Sequence, residues 1–454
     1  MKKILTLKHF LACSAFVLCG MLQMGNIAEA ETVVDAKPDK TTEVQSTTQT
    51  TTEVTNTNGW NKKKTCYYIN GEKVKGIQKI DNKLYYFDTK GNLYKKFGKQ
   101  KIKGKTYYFN KDYSLKTGVV KVGKKYYYFQ KKDGARYEGT GIKKIDGKYY
   151  NFTSKHYLKS GWYRDKKSKR YYFDKKTFAA MTGWKYVGKY KYYFNKKGQL
   201  QQDVRKKLTK KQKSSYIIRV NRTASCVTVY AKDGNKGYTI PVVAFVCSAG
   251  KDTPTGTFRI KDKLRWHELM GPSWGQWCEH LTQDILFHSV YYDVERDNKS
   301  LNVKAYNKLG TMASHGCIRL TAGDAKWIYD NCPSGTGVTI YDDAVNPGPL
   351  GKPDSIKIPE DSAYAGWDPT DPDENNPWNA YSAKIEGAKD IQSKIGQSVD
   401  VMTGVTATDT CGNDITAKIV TVGRYTFDQT GTYDIKYEVT DAIGSHDEVT
   451  VKLM

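Results

Sequence analysis

Between residues 59 and 204 an aromatic residue followed by Phe recurs at near-constant spacing. The pairs are Tyr86-Phe87, Tyr108-Phe109, Tyr128-Phe129, Tyr172-Phe173 and Tyr193-Phe194, with Asn151-Phe152 as a degenerate member, and the intervals are 22, 20, 23, 21 and 21 residues. Gly-Lys or Asp-Gly precedes the aromatics, as at Gly104-Lys105 and Asp146-Gly147-Lys148, and a Gly-apolar step opens units, as at Gly118-Val119 and Gly183-Trp184. Turn residues at these offsets predict short β-hairpins. One hairpin is unstable in water, so the hairpins are expected to stack through shared aromatic layers into a solenoid of about seven units.

The pattern changes over 212–341. Ser215 to Val220 and Cys226 to Tyr230 alternate, Pro241 to Cys247 is a nearly continuous apolar run, and Thr257 to Ile260 follows a Pro-Thr-Gly turn. These runs predict buried strands. A helix is predicted over 322–331, opened by Thr321 and Asp324 in a capping-box-like arrangement, and Thr336 to Ile340 reads as a closing strand. Residues 342–380 are rich in Pro, Asp and Asn and read as a linker. Residues 381–454 return to short alternating strands, clearest at Tyr433 to Val439, and fit a small β-sandwich. The fold class expected is therefore mostly β: a hairpin solenoid, a β-rich domain with one or two short helices, then a small sandwich.

The amino terminus and the charge narrow the setting. Lys2, Lys3 and Lys8, an apolar run from Phe10 to Met24, and Ala28-Glu29-Ala30 read as a secretory signal over 1–30, cut before Glu31. The run is short for a bilayer span, and no other stretch approaches that length, so no integral membrane segment is expected after cleavage. Residues 31–58 are Thr-rich and read as a linker. With 454 residues, 13% aromatic and only 9 Cys, the chain is neither wholly disordered nor a disulfide scaffold. Lys and Arg number 74 against 47 Asp and Glu, a formal charge of +27. About 45 of the basic residues and 10 of the acidic ones fall in 61–213, so the rest of the chain is net acidic. A Lys-studded, Tyr-layered surface suits an anionic polymer. Nucleic acid is the usual reading of such charge, but export favours a wall polymer, teichoic acid or glycan-linked peptide carboxylates, over nucleic acid.

The segment Ser314-His315-Gly316-Cys317-Ile318-Arg319-Leu320 carries candidate chemistry. Seven Cys follow the signal, an odd number, so at least one thiol stays unpaired within the chain. Cys317 is a nucleophile if its thiolate is accessible. In an extended segment His315 shares its face. Gly316 lets substrate approach the backbone, neighbouring amides can face an oxyanion, and Arg319 offers a fork for a carboxylate. An independent base is still needed. His288 ends the apolar run Ile285-Leu286-Phe287-His288, followed by Ser289, and a strand-terminal His is placed to reach a second strand end; a plain packed or surface His is the alternative. His267, Cys278 and His280 lack zinc-motif spacing; their aromatic-rich segment, 266–280, is either a groove lid or plain packing. Cys226 and Cys247 read as buried thiols.

Three resemblances follow from these residues. The unit Gly183 to Gly198 resembles the cell-wall-binding (choline-binding-type) repeats, which implies anchoring to surface glycans or teichoic acids. The stretches Gly404 to Thr416, Gly431-Thr432-Tyr433 and Val439-Thr440-Asp441 resemble bacterial immunoglobulin-like surface domains, which space or bind. Ser-His-Gly-Cys-apolar-Arg with an upstream apolar-His resembles the L,D-transpeptidase catalytic domain (the YkuD family). Thr253 to Phe258, Ser248-Ala249-Gly250 and the closing Gly337 to Ile340 lie in that family's order. This last resemblance implies Cys317 as nucleophile and His288 as proton acceptor and donor, with Ser289, Ser314, His315, Gly316 and Arg319 completing the site. It implies acyl transfer from peptidoglycan stem peptides through a Cys thioester to give 3→3 cross-links, with no cofactor and no metal. Water as acceptor gives an L,D-carboxypeptidase, and a protein amine gives a protein-to-peptidoglycan ligase; a non-catalytic wall-binding adhesin is the remaining alternative. One departure stands out: 25 residues (289–313) separate His288 from Ser314, more than is usual in the family. The extra length, Tyr291 to Lys304, is expected to loop over the site.

Overall fold

The computed structural model describes residues 58–454. The expected signal over 1–30 and nearly all of the expected 31–58 linker lie outside the described residues. Seven hairpins span residues 59–194, from Gly59–Trp60 with Tyr67–Ile69 to Gly183–Val187 with Tyr190–Phe194. The Phe that closes the second strand of six of them is core: Phe87, Phe109, Phe129, Phe152, Phe173 and Phe194 are each at most 2% exposed. Successive units are stitched by single backbone bonds, Leu115 N to Leu84 O, Arg136 N to Thr106 O, Ala180 N to Tyr149 O and Leu200 N to Arg170 O, all 2.7–2.8 Å. The period seen in the sequence is thus the stacking repeat, with Phe inside and Lys outside.

Two sheets build the next region. One has five strands in the order Ile240–Val246, Cys226–Ala231, Tyr216–Asn221, Gly337–Tyr341, Gly256–Arg259, with Tyr216–Asn221 and Gly337–Tyr341 parallel. Ile240–Val246 is buried along its whole length, as its continuous apolar run requires, and so is Cys226–Ala231, where the alternation read in the sequence gives way to burial on both faces because the strand lies between two others. The other has four strands, Lys263–Leu269, Ser273–His280, Leu286–Ser289 and Ile318–Leu320, the last two parallel. The helix Ala322–Asn331 packs against the second sheet and helps close the core with Ala325 and Ile328. Lys210–Lys213 and Val303–Tyr306 are single helical turns.

The start of Ala322–Asn331 is capped from two directions. Thr321 Oγ1 accepts from the Asp324 amide at 3.2 Å. The amides of Ala322 and Gly323 instead reach Asp368 Oδ2 (2.7 Å) and Thr370 Oγ1 (2.9 Å), from the segment expected to be a linker. That segment has little regular structure, yet it is packed rather than free. Ile356, Ile358, Trp367 and Trp378 enter one hydrophobic cluster with Val290, Tyr292, Leu301, Tyr306 and Leu309, and Cys411 of the last region joins it. Beyond it, Lys384–Glu386 pairs with Thr406–Thr408, and Val420–Val422, Tyr433–Thr440 and His446–Leu453 form a three-stranded sheet. The two small sheets share a core around Ile385, Ala407, Ile435 and Tyr437.

Candidate active site

Leu286–Ser289 and Ile318–Leu320 run parallel with His288 opposite Arg319. Side chains alternate along a strand, so His288 and Arg319 share a face, and Cys317, just before the second strand, faces the same way. His288, Ser314, His315, Gly316, Cys317 and Arg319 line one cavity of about 550 Å³. Ser289 does not. It points to the opposite face, fully buried, where its Oγ accepts from the Gln276 amide (2.9 Å) and donates to Val290 O (2.8 Å). Burial makes Ser289 part of the support behind the wall.

The Ser314–Cys317 loop is a bend rather than an extended segment, which departs from the geometry expected for His315. Ser314 Oγ donates to Cys317 O (2.6 Å) and Thr253 Oγ1 donates to Gly316 O (2.6 Å), tying the turn down. His315 is exposed as a result and does not pair with the thiol. The loop lies directly on Gly250: a methyl there would run into the carbonyl oxygens of Ser314 and His315. Gly250→Ala is therefore expected to lower stability by about 1–3 kcal/mol through overpacking, read as an earlier denaturant midpoint; an unchanged midpoint would show that the loop is not held there.

Cys317 is half-buried and its Sγ donates to Asp284 O at 3.6 Å. Burial pushes its thiol above the ordinary value, while the Leu286 amide and the Arg319 charge pull it back. His288 is 1% exposed, and burial, with Arg319 as a second cause, lowers its pKa to about 3. Both shifts favour the neutral forms, a thiol beside an uncharged imidazole. Thiol and ring line the same cavity without a direct hydrogen bond, and among the described residues His288 Nδ1 has no side-chain partner, with the Ser289 backbone as its polar neighbour. Catalytic bonds in unliganded sites are commonly long. Arg319 donates from Nη1 to Ala313 O (3.0 Å) and its guanidinium lies 5.0 Å from the Tyr291 ring centre.

All seven cysteines among the described residues are free thiols, and every one except Cys317 is buried. The aromatic-rich 266–280 segment is both packing and rim. Trp266 and Trp277 pack inward, whereas the turn from Leu269 to Ser273 lines the cavity and leaves Met270 81% exposed. His267 also lines the cavity, with its ring 5.1 Å from that of His280, which bonds to Asp262 (2.6 Å). From the longer insertion, Tyr291, Asp293 and Asn302 reach the cavity, and Tyr292 is fully buried behind it. The 269–273 turn lies in the 266–280 segment that the sequence offered as lid or packing, and Tyr291 opens the stretch expected to loop over the site; Asp284 was not foreseen, because it belongs to no spaced motif.

Residues 215–340 match the family described as L,D-transpeptidase catalytic domain, YkuD. The chain carries an L,D-transpeptidase catalytic domain. Residues 383–452 match the bacterial surface protein Ig-like domain. Over 119 residues the chain is 40% identical to YciB of Bacillus subtilis (strain 168), whose name assigns it provisionally to the L,D-transpeptidases; the match covers 24% of this chain and 59% of YciB. YbiS of Escherichia coli (strain K12), named with a similar reservation, is 28% identical over 96 residues, 21% of this chain and 26% of YbiS. The chain thus spans 59% or less of the length of these relatives. Among solved structures, choline binding protein F from Streptococcus pneumoniae is similar over 30% of this chain and 45% of its own, at 32% identity and a TM-score of 0.22. The cavity lies within the matched region and brings a thiol, an imidazole and a guanidinium together.

Proposed function

We propose that the protein is a secreted, wall-associated peptidoglycan L,D-transpeptidase that forms 3→3 cross-links through a thioester on Cys317. The observation that carries this is the convergence of Cys317, His288 and Arg319 on one face of a parallel strand pair inside the matched domain. Cys317 Sγ attacks the carbonyl of the L-centre in the third residue of a tetrapeptide stem, and His288 takes the thiol proton. Backbone amides of the Ser314–Cys317 bend hold the oxyanion. The tetrahedral adduct collapses, the C–N bond to D-Ala breaks, and His288 returns the proton to the leaving amine. A side-chain amine of a second stem then attacks the thioester, forming the new amide and restoring the thiol. A neutral His288 suits the first transfer, because it enters the cycle able to accept.

The solenoid is the tether in this reading. A groove of about 920 Å³ in it is lined by Lys79, Lys83, Lys116, Lys121, Lys131 and Lys132, with Asp112 bonded to Lys83 at 2.8 Å. Ammonium groups in such number hold a polyanion by many weak contacts. The Trp162 ring, flanked edge-on by Tyr172 and Tyr192, already carries the Arg170 guanidinium at 4.7 Å, which argues for anionic groups rather than choline there.

Purified full-length protein, given a defined tetrapeptide-bearing muropeptide, is expected to gain the mass of the stem minus D-Ala on Cys317 and to release a dimeric product. Release of tripeptide alone moves the reading to a carboxypeptidase. A chain that never acquires the adduct is not a transpeptidase.

A further inference from the structure

Among the described residues the imidazole of His288 has no side-chain partner at Nδ1; the Ser289 backbone is its polar neighbour, and packing supplies the rest of its orientation. Its floor is Gly275: a methyl there would lie 3.0 Å from His288 Nδ1 and 3.1 Å from its Cβ. Gly275 sits in the Ser273–His280 strand next to Gln276, which is fully buried and makes two bonds. The Gln276 amide donates to Ser289 Oγ at 2.9 Å, immediately beyond His288. Its Nε2 donates to Asp371 Oδ2 at 2.8 Å, 95 residues along the chain. Asp371 is 3% exposed and held in turn: its amide donates to Asp368 O (3.0 Å), its Oδ1 accepts from Asp373 N (3.1 Å), and its carbonyl accepts from Asn376 Nδ2 (2.9 Å). The same turn reaches the helix Ala322–Asn331 through Asp368 and the Ala322 amide.

We propose that Asp371, which follows the catalytic domain in sequence, is a positioning residue for His288, acting through Gln276 and the Gly275 floor. The inference rests on the transpeptidase reading only for what His288 does, not for where it is held. Without the Asp371 carboxylate, Gln276 Nε2 loses its acceptor in a buried site and must turn to another group, such as the neighbouring Tyr292 hydroxyl. The strand must then shift to satisfy it, and the floor under the ring shifts with it.

The test uses full-length Asp371→Ala and Asp371→Asn. Asn can still serve, by accepting from Gln276 Nε2 or by donating to Oε1 of a flipped Gln276 amide, an oxygen that otherwise has no partner. The Ala variant is expected to lose about 10- to 100-fold in kcat with KM unchanged, and the Asn variant to recover most of it. The His288 ring resonances, followed by NMR against pH without substrate, are expected to move in the Ala variant and return in the Asn variant. Gln276→Met, which keeps the volume, is expected to copy the Ala variant if that chain folds poorly. Wild-type kcat and ring titration in Asp371→Ala or Gln276→Met overturn the proposal, and so does equal loss in Ala and Asn. An inactive wild-type chain whose His288 resonances still respond as described sinks the transpeptidase reading and leaves the positioning one standing.

Discussion

Cys317→Ala is expected to abolish the acyl adduct and to lower turnover by roughly 10⁴-fold or more, the scale seen when a covalent nucleophile is removed. Among the described residues no other thiol lines the cavity: Cys66 is buried in the solenoid, and Cys278, though its Sγ lies beside Gly275 under the His288 ring, is fully buried. Cys226, Cys247, Cys278, Cys332 and Cys411 are buried, and burial raises each of their pKa values, to about 11 at Cys226 and about 12 at Cys332. None of the five lines the cavity. The loss should be chemical rather than structural, since the thiol's polar contacts are weak, a 3.6 Å bond to Asp284 O and the Leu286 amide. The unfolding midpoint should therefore match wild type. A pH series separates the two groups. Because the free thiol sits above its ordinary value and His288 titrates near 3, alkylation of Cys317 by a small haloacetamide should climb through the neutral range with no plateau set by His288. A plateau already reached at pH 6 would mean a preformed ion pair. An alanine variant that still turns over would place the nucleophile elsewhere.

What could be read in advance divides by how local the signal is. The hairpins were legible because each unit repeats the same Gly, aromatic and Phe offsets, and Phe173 or Phe194 is buried for the same reason in each. Cys317 and Arg319 were legible as a contiguous motif, and His288 as the end of an apolar run. The bend at His315 was not, because what forces it is the backbone of Gly250, far away in sequence, together with two hydroxyl bonds. Nor was the packing of 356–378. Its composition of Pro, Asp and Asn is that of an exposed connection, and its anchors Ile356, Ile358, Trp367 and Trp378 follow neither a period of 2 nor one of 3.6. Asp368 and Asp371 are buried because each meets a specific partner at long range, which no local pattern encodes, and Asn376 is buried with them because it bonds to their carbonyls.

That packing sets the second large effect. A chain cut after residue 341 removes the partners of Val290, Tyr292, Leu301, Tyr306 and Leu309, the apolar backing of the cavity wall. Four large side chains leave the cluster with it, each contributing about 1.5–3 kcal/mol of burial. Two helix amides lose their acceptors, at about 1 kcal/mol apiece. The total approaches the roughly 5–15 kcal/mol that holds a domain together. A fragment covering 205–341 is thus expected to show weak near-ultraviolet dichroism and no sharp thermal transition, while 205–380, which keeps Trp367, Asp368, Asp371 and Trp378, should regain most of the cooperativity. The remaining difference from full length should be smaller, because the last region contributes fewer contacts there: Cys411 and the partly buried Ala442 and Ile443 in the cluster, and Asn413 Nδ2 donating to Lys357 O at 2.8 Å. Should 205–341 melt as sharply and as high as the full chain, the segment after it would be a passive tether, and the wall of Tyr291, Asp293 and Asn302 would have to stand on the catalytic domain alone.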